Sequence, residues 1–79
     1  MDVFIVIIED RHFDTQVLIF SGEVAAVEHA KAVVEECGLY PEDISEELTD
    51  LMTESGWLYH ATYSCESDSV RVERKTVDP

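Results

Sequence analysis

Positive charge is scarce in this chain. Five Lys and Arg stand against eighteen Asp and Glu in 79 residues, a formal net charge of -13. A protein so charged repels nucleic acid and anionic membrane surfaces, and attracts basic proteins over a Debye length of roughly 8–10 Å near physiological salt. Direct contact with DNA or RNA is therefore disfavoured, whereas contact with a nucleic-acid-binding protein is not. Cysteine is scarce too: Cys37 and Cys65 are too few and too scattered for a secreted disulfide framework. The three glycines are isolated, which leaves no glycine-rich loop to cradle a phosphate. The apolar run Val3-Phe4-Ile5-Val6-Ile7-Ile8 is far too short to cross a bilayer, and Met1-Asp2 ahead of it lacks the positive region of a secretory leader. These absences point to a cytoplasmic protein with reduced thiols and no membrane contact.

Apolar residues, by contrast, make up 46% of the chain, too many for a disordered acidic tail, so a packed core is expected. The length suits one domain, residues 1–79, close to the lower limit for a core that folds alone. Scaffolds this small are often steadied by a disulfide, a metal or a partner chain, which brings a homodimer into consideration.

The opening β-branched run predicts a strand, and Thr15-Gln16-Val17-Leu18-Ile19-Phe20 a second, joined through the polar stretch from Glu9 to Asp14 as an antiparallel hairpin. Ser21 is placed to cap a helix over 24–37, with Val27, Ala30, Val33, Val34 and Cys37 at helical spacing and Gly38 at its end as a left-handed C-cap. Pro41, with Glu42 and Asp43 behind it, opens a second predicted helix whose apolar stripe is Ile44, Leu48, Leu51 and Met52. Residues 57–65 alternate, with Trp57, Tyr59, Ala61, Tyr63 and Cys65 on one face, and Val70 to Val77 forms a last strand with Arg71, Glu73 and Lys75 on its wet side. The expected architecture is α+β, in the order ββααββ, with a four-stranded antiparallel sheet and two helices packed on one face.

The most unusual chemistry lies on the second predicted helix. Glu42, Asp43, Glu46, Glu47, Asp50 and Glu54 would crowd its solvent side, with Asp43, Glu47, Asp50 and Glu54 in one stripe. From Glu35 to Asp68 there are ten acidic residues and no Lys or Arg. Like charges at i, i+4 cost a helix about 0.2–0.5 kcal/mol per pair. Such a stripe is either a solvated face or an imitation of a nucleic-acid backbone, which carries one charge per about 3.4 Å of strand.

A second group, Glu9, Asp10, His12 and Asp14, offers metal ligands in a hairpin loop, yet its spacing matches neither an EF-hand nor a zinc site, and the plain alternative is a turn bonded to its own backbone. Cys65 and His60 fall on opposite strand faces, so they do not pair as nucleophile and base. Cys37 closes a helix, where the dipole opposes a thiolate. No cofactor motif and no catalytic set emerges.

The opening strand running into Glu9-Asp10-Arg11-His12 and the closing Gly56-Trp57-Leu58-Tyr59 and Tyr63-Ser64-Cys65-Glu66-Ser67-Asp68-Ser69-Val70-Arg71-Val72 resemble small acidic proteins encoded in actinobacterial and phage genomes. That group carries no activity and no site residues across to this chain. Its context is that of inhibitors of host machinery, including anti-CRISPR proteins and DNA mimics. The resulting expectation is a non-enzymatic binding protein whose acidic helix engages a basic nucleic-acid-binding protein or complex. Two rivals stand beside it: a small metal- or ligand-binding domain using the 9–14 loop, and a structural homodimer joined through the aromatic face of Trp57, Tyr59 and Tyr63.

Overall fold

The β-branched run that opens the chain forms a strand, β1 (Asp2–Glu9), in the computed structural model, which describes residues 1–38, 41–47, 57–64 and 68–78. It makes the expected antiparallel hairpin with β2 (Gln16–Phe20), Ile5 opposite Ile19 and Val6 opposite Leu18. On its other side β1 pairs antiparallel with β5 (Ser69–Thr76), from Asp2 opposite Thr76 to Glu9 opposite Ser69. Beyond β5 come β4 (Trp57–Thr62) and β3 (Ser45–Glu47), both antiparallel to their neighbours. The sheet is therefore five-stranded, in the order β2-β1-β5-β4-β3.

Among the described residues one α-helix, α1 (Glu23–Cys37), covers one face. Ala26, Ala30 and Val34 are its buried residues, at the i, i+4, i+8 spacing of one helical stripe, and the two alanines let the helix axis approach the strands closely. Against them lie Val6, Ile8, Tyr59, Ala61, Tyr63, Val70 and Val72, all buried. Strand alternation sends every second residue to the other face, so Val3, Ile5 and Ile7 of β1, Val17 and Ile19 of β2, and Arg71, Glu73 and Lys75 of β5 share a side that no described element covers. Among the described residues no helix is long and apolar enough to cross a membrane.

The architecture departs from the expected ββααββ with four strands and two helices. Pro41–Asp43 is a single 3-10 turn, and Ser45–Glu47 is strand. The residues that begin the predicted second helix are thus not α-helical, and 48–56, which hold its remainder, lie outside the described residues. The physical reason is local and tertiary at once. A helix would stack Glu42 on Glu46 and Asp43 on Glu47 without a cation to relieve them. An extended backbone separates these pairs and lets Ser45, Glu46 and Glu47 bond to Thr62, Ala61 and His60 of β4. Ile44 finds its apolar contact at the core margin, as it would have on a helix.

The ends of α1 also differ from the sequence expectation. Gly22, not Ser21, is the N-cap, and no side chain caps the first turn. Gly38 bonds its amide to the Val34 carbonyl at 2.9 Å, but its backbone is extended (φ -79°), not left-handed. Glycine stands there for space. A Cβ at position 38 would lie 2.7 Å from Ile44 Cδ1 and 2.7 Å from the Val34 carbonyl oxygen. The isoleucine tip can swing aside, whereas the helix carbonyl cannot without breaking the last turn. Gly38→Ala is therefore expected to destabilise the fold by about 1–3 kcal/mol, the usual range for overpacking, read as a lower urea midpoint with unchanged m-value.

Candidate functional site

Two groups of polar side chains stand out, one where the loops of the inner strands meet and one at the β3 edge of the sheet. The first joins the β1–β2 loop to the β4–β5 connection. Asp10 Oδ1 accepts the His12 amide at 2.8 Å, and the Asp10 carbonyl accepts the Phe13 amide at 3.4 Å, closing the loop on itself. Asp10 Oδ2 accepts the Tyr63 hydroxyl at 2.7 Å. Asp68, only 4% exposed, accepts the Arg11 amide on Oδ1 and the Ser64 hydroxyl on Oδ2, each at 2.9 Å, while its own carbonyl accepts the Tyr63 amide at 2.9 Å.

Electrostatics follow from these contacts. Burial pushes the Asp10 carboxyl upward, but the Tyr63 hydroxyl, the His12 amide and the His12 charge outweigh it and hold the group below its ordinary 3.8. Burial, then the bond to Asp10, drives the Tyr63 phenol well above the ordinary tyrosine range. Burial also raises the Cys37 thiol, with Asp10, Glu36 and Asp68 adding their negative charge. A thiolate is disfavoured there, by burial and neighbouring carboxylates in addition to the helix dipole. Cys65 lies outside the described residues.

Of the four loop residues singled out as metal ligands, the structure brings two together. Asp10 and His12 meet Asp68, one ligand atom from each lying within 4.8 Å of the others. Glu9 points elsewhere, its carboxylate 2.7 Å from Arg71 Nη1, and Asp14 is not in the group. Asp68 was missed because the tie runs across 57 residues of sequence to Arg11, and the local pattern around it reads only as a turn. All four carboxylate oxygens of Asp10 and Asp68 already accept a hydrogen bond. The cluster is accounted for as a clasp between two loops, and a cation would have to compete with those bonds.

The second group is the acidic segment 42–47. Glu42 and Glu46 are exposed and Asp43 half-buried, at the β3 edge of the sheet. Glu46 Oε2 accepts the hydroxyl of buried Tyr59 at 2.7 Å, so it also serves the core. Burial first, then Glu46, drives the Tyr59 phenol far above its ordinary value. Glu47 occupies the register position opposite His60, and Asp50 and Glu54 lie outside the described residues. No family model, curated protein or solved structure matches the chain. The site therefore rests on its own geometry.

That geometry separates the charges. Arg71 pairs with Glu9 at 2.7 Å and Glu73 at 3.1 Å, and Lys75 lies 4.0 Å from Glu73, all on β5 and its β1 neighbour. Two hydrogen bonds hold Arg71 firmly protonated. Among the described residues no Lys or Arg pairs with Glu42, Asp43 or Glu46, and β4 stands between β3 and the cations of β5. The aromatic face proposed for a dimer is not available: Tyr59 and Tyr63 are 0% and 1% exposed beneath α1. The β4 register irregularity also sets Trp57 opposite Glu73, out of step with Tyr59 opposite Val72.

Two measurements test the clasp. Asp68→Ala removes the buried acceptor of the Arg11 amide and the Ser64 hydroxyl, and should lower unfolding free energy by about 1–3 kcal/mol, the range for hydrogen bonds to a charged group. Asp10→Asn tests the charge. A folded pKa below 3.8 means that Asp10 contributes stability above that value, and that the contribution vanishes as pH falls through the lowered pKa. Acid also relieves the repulsion among the other carboxylates, so the informative quantity is the difference between wild type and Asp10→Asn. That difference should be constant near neutral pH and shrink to nothing in strong acid. A pH-independent difference would show that the Asp10 charge is not involved.

Proposed function

We propose that this chain is a non-enzymatic binding protein that occupies a basic, nucleic-acid-binding surface of a partner with the acidic β3 edge of its sheet. The observation that carries the reading is the charge separation. The acidic segment lies at one edge, while Arg71 and Lys75 are engaged by Glu9 and Glu73 in the middle of the sheet. Among the described residues no Lys or Arg pairs with Glu42, Asp43 or Glu46, and carboxylates so placed attract a basic groove and steer association most strongly at low salt. The helical stripe expected from the sequence plays no part in this reading. Its place is taken by the 3-10 turn and edge strand that carry Glu42, Asp43, Glu46 and Glu47.

Partner inhibition follows from competition, since a basic groove filled by carboxylates cannot hold phosphates. The concrete form is a phage-type anti-defence inhibitor, with the nucleic-acid channel of a CRISPR effector as the basic surface. Glu46 is unsuited to a charge-reversal test because it also accepts the Tyr59 hydroxyl. The better variant is Glu42→Lys/Asp43→Lys/Glu47→Lys. The immobilised full chain, exposed to nuclease-treated bacterial lysate, should retain nucleic-acid-binding complexes at low salt and release them to duplex DNA or high salt. The triple variant, folded by circular dichroism, should bind at least about tenfold more weakly, because like-charge juxtapositions cost up to several kcal/mol. Equal retention by the variant, or retention that DNA does not displace, rules the reading out.

A further inference from the structure

The two edges of the sheet are protected unequally. β3 carries Glu46 and Glu47, whose charge discourages another strand from docking. β2 reads Gln16-Val17-Leu18-Ile19-Phe20, with no charge, no proline and no bulge in its pairing with β1. An outer strand of this kind presents a row of backbone donors and acceptors to any strand that can match it. Its outward side chains are apolar as well: Val17 is 59% and Ile19 68% exposed, and they sit opposite Ile7 and Ile5 on the uncovered face of the sheet.

We propose that β2 is the contact strand of a homodimer, pairing antiparallel with β2 of a second copy about a two-fold axis through Leu18. The strand is self-complementary about that residue. In this register Val17 faces Ile19 of the second copy and Ile19 faces its Val17, so the strip of Val3, Ile5, Ile7, Val17 and Ile19 runs unbroken from one sheet into the next. Leu18 meets its own equivalent on the helix side. The same surface patch serves both copies, as a two-fold interface requires.

The self-complementary register favours a second copy, and charge at this edge does not oppose it. Around this edge the uncovered face is locally neutral, because Glu9 and Glu73 are met by Arg71 and Lys75. Elsewhere the chain carries a formal excess of -13, which would drive copies apart. The acidic β3 edge lies four strand positions from β2. At about 4.8 Å per strand that is roughly 19 Å, well beyond a Debye length of about 10 Å at 0.1 M salt. The two acidic edges of the dimer would stand twice as far apart again. The remaining like-charge neighbours are at the rim, where the register brings Asp14 beside the Gly22–Glu23 helix start of the second copy. Salt should therefore strengthen the dimer, the opposite of its effect on a basic partner.

Sedimentation equilibrium of the full chain through the micromolar range, with hydrogen exchange on the same samples, tests the proposal. The expected result is a mass approaching twice 9.0 kDa, rising with salt, with β2 amides that become more protected as concentration increases. Ile19→Lys and, independently, Val17→Lys should restore the single-chain mass and leave β2 amides fast, while β1 and β5 amides stay slow and report an intact fold. The wild-type concentration series decides the matter even if both variants unfold. A chain that stays monomeric, a dimer whose β2 amides remain unprotected, or a folded Ile19→Lys that still dimerises overturns it.

Discussion

Among the described residues one helix of fifteen residues lies on a sheet five strands wide, and much of the described packing follows from the face it takes. One face is closed by Ala26, Ala30 and Val34 against the valines of β1 and β5 and the tyrosines of β4. Nothing described remains for the other. Its residues must then be compatible with water, and β5 meets the requirement with Arg71, Glu73 and Lys75. β1 and β2 meet it less well, since Ile5, Ile7, Val17 and Ile19 fall on the same side. The helix face is in turn dense enough to bury Tyr59 and Tyr63, and each phenol hydroxyl then needs an acceptor. Glu46 and Asp10 supply them, one from the β3 edge and one from the β1–β2 loop. Two of the acidic residues are therefore drawn into the packing and do not serve the surface alone.

The electrostatic layout is a consequence of the same geometry. With so few cations, their position decides which carboxylates remain unneutralised. Three of the five Lys and Arg residues are Arg71, Arg74 and Lys75 on β5, a central strand. The ion pairs that Arg71 and Lys75 make there offset Glu9 and Glu73, and among the described residues none reaches Glu42, Asp43 or Glu46.

The alternating and β-branched segments identified β1, β2, β4 and β5 from the sequence, because strand period and composition are local properties. The helix over 24–37 was equally plain from the spacing of its apolar residues. Three features were not legible. The pairing of β1 with β5 joins strands some sixty residues apart and leaves no local mark. Segment 41–47 has a helical opening, with proline followed by acids, but its pairing with Thr62, Ala61 and His60 outweighs that propensity. The Asp10–Tyr63–Asp68 clasp was half visible: the loop acids drew notice as ligands, while their partners lie some fifty residues further along. Gly38 shows the same limit in small. A glycine at a helix end suggested left-handed backbone, and the structure uses it for clearance from Ile44 and the Val34 carbonyl.

The placement of β5 also governs when the fold can form. This strand holds Val70 and Val72, both fully buried, and lies between β1 and β4, yet among the described strands it comes last in chain order. Until it emerges, the β1–β2 hairpin cannot join β4 in one sheet, and a two-stranded hairpin is marginal in water on its own. Such non-local pairing is slow to find, and the nascent chain waits with a β-branched run unpaired on one side. The heavy negative charge then acquires a role before folding as well as after it, keeping unfinished chains apart while their apolar strands are exposed.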